Sequence, residues 1–156
     1  MMKGWFKQFS ICAAVAIFTT LGSAEYQPAL AADKKVVLPV AGVLATPVAR
    51  SKLDGSVSFY FGNSPHPAVT QKLGEASSRK KTNAFAKSDA ATCNHVLVST
   101  LIDLQQKAQA AGGNAVINIR STYEGTEVSY DDEFECHVGF LMSGVALKGD
   151  IATVER

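Results

Sequence analysis

Residues 88–114, SDAATCNHVLVSTLIDLQQKAQAAGGN, decide the fold of this 156-residue chain. Ser88 and Asp89 both favour a helix N-cap, and neither Gly nor Pro follows before Gly112. Apolar side chains recur every three or four positions and therefore share one helix face: Cys93, Leu97, Leu101, Leu104 and Ala108. The sequence predicts a long helix with this stripe toward the core, ended by the glycines before Asn114.

β-prone segments lie on both sides of this helix, bounded by turn-forming residues. The expected strands are residues 56–61, residues 68–73 with a continuation over 75–82, residues 115–123, and one strand or a pair within 134–147. Gly139 and Gly144 in the last segment indicate a bulge or a close backbone approach. The order strand, strand, helix, strand, strand predicts an α+β two-layer sandwich, with the helix on a mainly antiparallel sheet.

The segment before this domain contains two prolines. Pro39 and Pro47 argue against a long helix or a central strand. Residues 32–53 are therefore predicted to be irregular, with short pieces lying across the domain. The α+β domain itself is expected to span residues 54–156.

The first thirty or so residues have the order typical of a secretory signal peptide. Lys3 and Lys7 precede an uncharged, largely apolar stretch over residues 9–21. That stretch is shorter than the roughly 20 residues needed to cross a bilayer, so no membrane anchor is expected after cleavage. Small residues permit cleavage after Ala24 or after Ala31, and the second site is favoured. The prediction is a signal peptide over residues 1–31 and a periplasmic mature protein.

The charge balance argues against a nucleic-acid partner. Cleavage after Ala31 removes Lys3 and Lys7 from the 15 basic residues and Glu25 from the 14 acidic ones, leaving 13 of each. A net charge near zero gives no general attraction to nucleic acid or anionic lipid. Residues 79–81, Arg-Lys-Lys, have no interleaved aromatic residues, which favours a solvated strand edge over a nucleic-acid site.

Two cysteines remain after cleavage, because Cys12 lies within the signal peptide. Cys93 belongs to the apolar stripe of the helix, and Cys136 lies in the last predicted strand. Disulfides persist in oxidising compartments, so we expect a Cys93–Cys136 disulfide. Closing the loop between them would stabilise the fold by roughly 4 kcal/mol on the chain-entropy model.

A metal site is the alternative interpretation of these cysteines, because His95 and His137 lie near them. His95 is about 200° around the helix from Cys93, and His137 faces away from Cys136 on a strand, so the ligands converge poorly. An acidic loop adds weak cation ligands without the spacing of an EF-hand: Asp131, Asp132, Glu133 and Glu135. A disulfide with surface histidines is favoured, and neither a metal nor a cofactor is expected.

Catalytic signatures are missing from the sequence. It has no G-x-x-x-x-G-K-S/T phosphate loop, no H-E-x-x-H, no C-x-x-C and no G-x-S-x-G. A nucleotide hydrolase is thereby excluded, and no catalytic residue is assigned. A small hydrolase built from scattered residues would have His66, His95 and His137 as its only histidines, and each is expected at the surface.

Several short segments carry a resemblance to known proteins: residues 53–57 (LDGSV), 81–84 (KTNA), 113–116 (GNAV), 135–137 (ECH) and 145–149 (VALKG). They resemble a family of small exported proteobacterial proteins whose members often carry the label excinuclease ATPase subunit. More remotely, the helix, the GNAV strand and the cysteine spacing are similar to RcsF and to the YbjQ-like heavy-metal-binding-domain proteins. The resemblance implies a compact α/β sandwich; the RcsF-like relatives act in envelope-stress signalling, and the YbjQ-like ones form rings.

Together these observations predict a non-enzymatic periplasmic domain that contributes to envelope homeostasis by binding another protein or a small ligand. The alternative is a metal-handling protein that uses the histidines and the acidic loop. A small hydrolase is the third hypothesis. No feature of the sequence specifies the partner or the oligomeric state.

Overall fold

The chain combines one long helix with a curled, mostly antiparallel sheet, which confirms the α+β class. The structure is a computed structural model and describes residues 33–155. The expected signal peptide and both expected cleavage sites lie outside the described residues. The elements are β1 (Lys34–Pro39), α1 (Val40–Leu44), α2 (Pro47–Lys52), β2 (Ser58–Phe61), β3 (Val69–Asn83), α3 (Asp89–Ala110), β4 (Ala115–Ser121), β5 (Val128–Ser129), β6 (Glu133–Val138) and β7 (Met142–Val154).

The long helix forms where its sequence predicts it. Ser88 is the N-cap of α3, and its hydroxyl accepts a hydrogen bond from the backbone N–H of Ala91 at 3.3 Å. Gly112 follows the helix with φ +80°, and the N–H of Gly113 donates to the carbonyl of Ala108 at 2.8 Å. The five residues of the apolar stripe are all fully buried. None of the described helices is long and apolar enough to cross a membrane.

β7 is the central strand of the sheet. β3 pairs with it antiparallel along almost its whole length, from Val69 opposite Val154 to Asn83 opposite Met142. On the other side β7 pairs first with β6 and then with β4, so the sheet divides there. β1 extends it beyond β6, while β2 and β5 both pair with β4. The pairing of β2 with β4 is parallel and all the others are antiparallel.

The core lies between α3 and the sheet face that it covers. Leu97, Leu101 and Leu104 of the helix belong to one buried cluster with Val145 and Leu147 of β7. The cluster also contains Cys93 and Cys136, whose Sγ atoms are bonded at 2.02 Å. The expected disulfide is therefore present, and it ties the first turns of α3 to β6.

Several strands differ in extent from the sequence prediction. β3 is one strand rather than a strand with a continuation, because Gly74 passes through the irregularity at φ +113° and pairing resumes at once. The last segment is a pair of strands, β6 and β7. Gly139 lies in the turn between them, and a Cβ on Gly139 would be 2.6 Å from Oδ1 of Asp33. The backbone at Gly144 lies close to the ring of Tyr123, since a Cβ on Gly144 would be 3.4 Å from that ring.

The segment expected to be irregular, residues 32–53, contains regular elements over its described part. β1 is an edge strand on β6, and two short helices follow. The prolines mark the boundaries of these elements: Pro39 ends β1 and precedes α1, and Pro47 is the first residue of α2, where its missing N–H needs no partner.

Candidate contact surface at one end of the sheet

Two loops meet at one end of the sheet and are tied to each other. The β6–β7 turn carries Phe140 and Leu141, and the β3–α3 loop carries Phe85. The N–H of Ala84 donates to the carbonyl of Leu141 at 2.8 Å, which joins the loops. The N–H of Gly139 donates to the carbonyl of Met142 at 2.8 Å and closes the turn. The loops thus form one ordered surface.

This surface is apolar and exposed. We call it the apolar tip, and it consists of Phe85, Phe140, Leu141 and Met142. Phe140 is 77% exposed, Leu141 59%, Phe85 57% and Met142 45%, and the only other large hydrophobic residue in residues 33–155 with comparable exposure is Val48. The rings of Phe85 and Phe140 meet edge to face with their centroids 5.9 Å apart. Contiguous exposed apolar side chains of this kind mark interaction sites.

An open recess of about 350 Å³ adjoins the apolar tip. Its polar wall contains Asp33, Lys81, Tyr123 and Ser143. The Tyr123 hydroxyl donates to Oδ2 of Asp33 at 3.0 Å. Burial and this hydrogen bond to a carboxylate raise the pKa of Tyr123, so the phenol is neutral and a donor at neutral pH. The end of the domain therefore offers apolar side chains beside polar groups.

The wall of the recess is supported by a stack of side chains. The ring of His137, on β6, lies parallel to that of Tyr123, with centroids 3.5 Å apart and an angle of 3° between their planes. The guanidinium of Arg79, on β3, lies 5.9 Å from the centroid of Tyr123. Tyr123 follows β4, so three separate strands contribute to the position of this ring.

A buried carboxylate holds the histidine of this stack. Glu135 is 5% exposed, and its Oε1 lies 2.6 Å from Nε2 of His137. Tyr130 donates its hydroxyl to Oε2 at 3.2 Å, and Nζ of Lys35 lies 3.6 Å from the same oxygen. Burial alone would raise the pKa of Glu135, but the hydrogen bond with His137 and the charge of Lys35 outweigh it and lower that pKa. The carboxylate is thus ionised and orients the imidazole.

The candidate metal ligands are separated from one another in the structure. Cys93 and Cys136 are joined, His137 is stacked on Tyr123, and His95 is exposed on α3 beside a small groove. Within residues 33–155 no group of three or more His, Cys, Asp or Glu side chains is placed to hold a metal ion. His66 lies in the loop after β2, where Nδ1 is 2.8 Å from the carbonyl oxygen of Pro67.

The acidic loop has a structural role in the described chain. Oδ1 of Asp131 accepts a hydrogen bond from the N–H of Asn63 at 2.8 Å, and its backbone carbonyl accepts one from the Ser64 hydroxyl. The carbonyl of Asp132 accepts from the N–H of Val40 at 2.9 Å. Glu133 is exposed at the start of β6. These contacts join the loop to the β2 turn and to α1.

A second charged cluster, on the strands, is internally balanced. Arg120 of β4 and Lys148 of β7 are bridged by Glu75 and Glu127, with contacts from 2.6 to 3.1 Å. Hydrogen bonds with Lys148 and Arg120 lower the pKa of Glu75, and hydrogen bonds with Arg120 and Lys148 lower that of Glu127. Two cations thus face two anions, so this cluster is a link between strands rather than an unmatched charge.

The basic residues of β3 divide between the two faces of the sheet. Lys80 turns toward α3 and pairs with Asp103 at 3.3 Å, whereas Arg79 and Lys81 are exposed on the opposite face beside Tyr123. From the sequence all three are expected at a solvated edge, which fits Arg79 and Lys81 but not Lys80. The apolar tip is not apparent from the sequence, because residues 140–142, Phe-Leu-Met, fall within a predicted strand, where apolar residues are expected to be buried.

Comparison of the chain with protein-family models, with curated proteins and with solved structures found no match.

Proposed function

We propose that this chain is an exported, non-enzymatic binding domain of the periplasm that contributes to envelope homeostasis. Its contact surface is the apolar tip with the adjoining recess. The observation that carries the proposal is the exposure of four large apolar side chains on two loops joined by the Ala84–Leu141 hydrogen bond. Exposed apolar surface of this kind is unfavourable in water, so we expect a partner to cover it when the protein functions.

Export is supported by two independent features. The N-terminal order of Lys3, Lys7 and an apolar stretch over residues 9–21 is that of a signal peptide, which we place at residues 1–31. The Cys93–Cys136 bond requires an oxidising compartment to persist. The periplasm meets both conditions.

The packing of α3 on β3 and β7 supports the finer description of the domain as a two-layer sandwich, one helical layer on one sheet. This architecture agrees with the resemblance to the exported family labelled excinuclease ATPase subunit and to RcsF-like and YbjQ-like proteins. We propose that relationship on the sequence segments alone. We expect the partner of the tip to be a component of the envelope, either another protein or a small ligand.

Photo-crosslinking in the native periplasm tests the proposed contact surface. A photoreactive amino acid replaces Phe140 at the tip in one variant and Val48, 57% exposed on α2, in the matched control. Both positions are exposed, so neither replacement disturbs the core. We expect specific adducts from position 140 and none from position 48. Equal labelling at both positions, or no adduct at position 140, would contradict the proposal.

A further inference from the structure

The chain enters the described domain at the apolar tip. β1 pairs with β6 so that Lys34 lies opposite Val138, the last residue before the β6–β7 turn. Asp33 lines the recess with Phe140 and approaches Gly139. Everything N-terminal to Asp33, including the apolar residues 9–21, is therefore attached at this end of the domain.

Cations without an ionic partner surround the tip. Arg79, Lys81 and Lys87 are exposed, and none of them forms an ion pair with any residue in the described part of the chain. Asp89 is paired with Lys34 at 2.9 Å, whereas Asp33, which is bonded to the neutral phenol of Tyr123, and Glu124 have no cationic partner in the described chain. The three unpaired cations outnumber these two carboxylates, which leaves a small local excess of positive charge at the tip.

The chemistry of the tip fits the surface of a bilayer. Four partly exposed side chains present on the order of 400 Å² of apolar surface, and exposed lysines lie beside them. A bilayer interface needs no complementary shape. It accepts a few aromatic and aliphatic side chains at the boundary between headgroups and acyl chains, and phosphate groups attract the surrounding lysines.

We infer that the envelope component contacted by the apolar tip is the surface of an anionic lipid bilayer, an inference that rests on the proposed function. Phe85, Phe140 and Leu141 insert at the interface, and Lys81 and Lys87 lie among the headgroups. The attachment point of the N-terminal segment supports this orientation. Before cleavage, the 12 positions from Leu21 to Asp33 span at most roughly 40 Å, so a membrane-inserted signal peptide holds this end of the domain near the bilayer.

Sedimentation with vesicles tests the inference on the exported form of the protein. One set of vesicles contains phosphatidylethanolamine and phosphatidylglycerol, and the other contains phosphatidylcholine alone. The Phe140→Ser/Leu141→Ser variant removes the two most exposed side chains of the tip, and Val48→Ser is the matched control. We expect binding to the anionic vesicles, a loss of about tenfold or more in the tip variant and no change in the control.

The charged part of the contact is tested separately. Lys81→Gln and Lys87→Gln are each expected to weaken binding to anionic vesicles by roughly fivefold at low salt, and added salt should abolish the difference. Absence of binding to either type of vesicle, or binding that the tip variant leaves unchanged, overturns the inference. If the chain binds no vesicles but position 140 crosslinks to a protein, a lipid partner is ruled out. The proposed contact surface is retained in that case.

Discussion

The imidazole of His137 lies flat against the phenol ring of Tyr123, with 3.5 Å between the ring centroids. The two residues belong to different parts of the sheet, and each has its own hydrogen-bonding anchor: His137 bonds with Glu135 at 2.6 Å, and Tyr123 with Asp33 at 3.0 Å. The stack thus joins β6, the connection after β4 and the residue preceding β1. It fixes the wall of the recess beside the apolar tip.

Replacing Tyr123 separates the contribution of the ring from that of its hydroxyl. Tyr123→Ala loses the stack on His137 and the contact with Arg79, so we expect a loss of about 1–2 kcal/mol in the free energy of unfolding. Tyr123→Phe keeps the ring and loses the bond to Asp33, with an expected cost of about 0.5–1 kcal/mol. Urea unfolding measures both values. Equal losses in the two variants would show that the stack contributes nothing.

Asp103 on α3 makes the stability of the domain sensitive to acid. Burial raises the pKa of its carboxyl, but hydrogen bonds from Lys107 at 2.8 Å and Lys80 at 3.3 Å prevail and lower the pKa from 3.8 to about 2. A depressed pKa in the folded state gives stability that is complete above pH 3.8 and is lost as the pH falls toward 2. We expect this contribution to be about 1–2 kcal/mol, since both lysines are partly exposed.

Asp103→Asn should therefore lower the free energy of unfolding at neutral pH and flatten its decline between about pH 4 and pH 2. The test is a series of urea titrations over that range. Lys107→Gln removes the closest partner of Asp103, raises its folded-state pKa toward the ordinary value and should therefore make the same decline smaller. A decline that Asp103→Asn leaves unaltered would show that other carboxyl groups govern acid unfolding.

Gly149 permits the close approach of β7 to β4 at the irregularity in their antiparallel pairing. A Cβ at this buried position would lie 2.7 Å from Cγ1 of Val116, 3.0 Å from Cγ1 of Ile119 and 3.1 Å from the carbonyl of Ile117. Gly149→Ala must push β4 away, with an expected destabilisation of about 1–3 kcal/mol.

Gly42→Ala is the matched control for this substitution. Gly42 lies in α1 with no atom within 4 Å of the added Cβ, so the change should be neutral or stabilise by up to about 1 kcal/mol. Thermal unfolding of both variants decides the point. If Gly149→Ala were as stable as Gly42→Ala, the close contact between β7 and β4 at Gly149 would be contradicted.

The sequence predicts best what depends on neighbouring residues. The stripe of α3 is a local periodicity, and its N-cap Ser88 and terminating Gly112 are local signals, so this helix was placed within a residue of its observed ends. The resumption of β3 pairing after the register shift at Gly74 depends on β7, which lies some seventy residues further along the chain. That contact supports the strand through an irregularity that the local sequence marks as a break.

The candidate site was less predictable because long-range contacts create it. Phe85 and Phe140 are 55 residues apart (140 minus 85) and become neighbours only when the β6–β7 turn reaches the β3–α3 loop. Residues 140–142 are apolar, as a buried strand would be, and the local signal of a turn before them is Gly139.

The bond between Cys93 and Cys136 is the feature that the sequence and the structure support most directly. Both cysteines are fully buried, and the bond joins the start of α3 to β6 across 43 positions of the chain. Closing a loop of this length restricts the unfolded chain, so Cys93→Ser and Cys136→Ser should each lower the free energy of unfolding by roughly 2–5 kcal/mol.

The double variant should be about as unstable as either single variant, because each change removes the same bond. Reduction of the wild-type protein should approach the same loss. Thiol titration of the unfolded, metal-free exported protein provides the decisive count, since Cys12 is expected to leave with the signal peptide. We expect no reactive thiol before reduction and two after it. Two thiols before reduction would contradict the disulfide and would favour the metal-handling alternative.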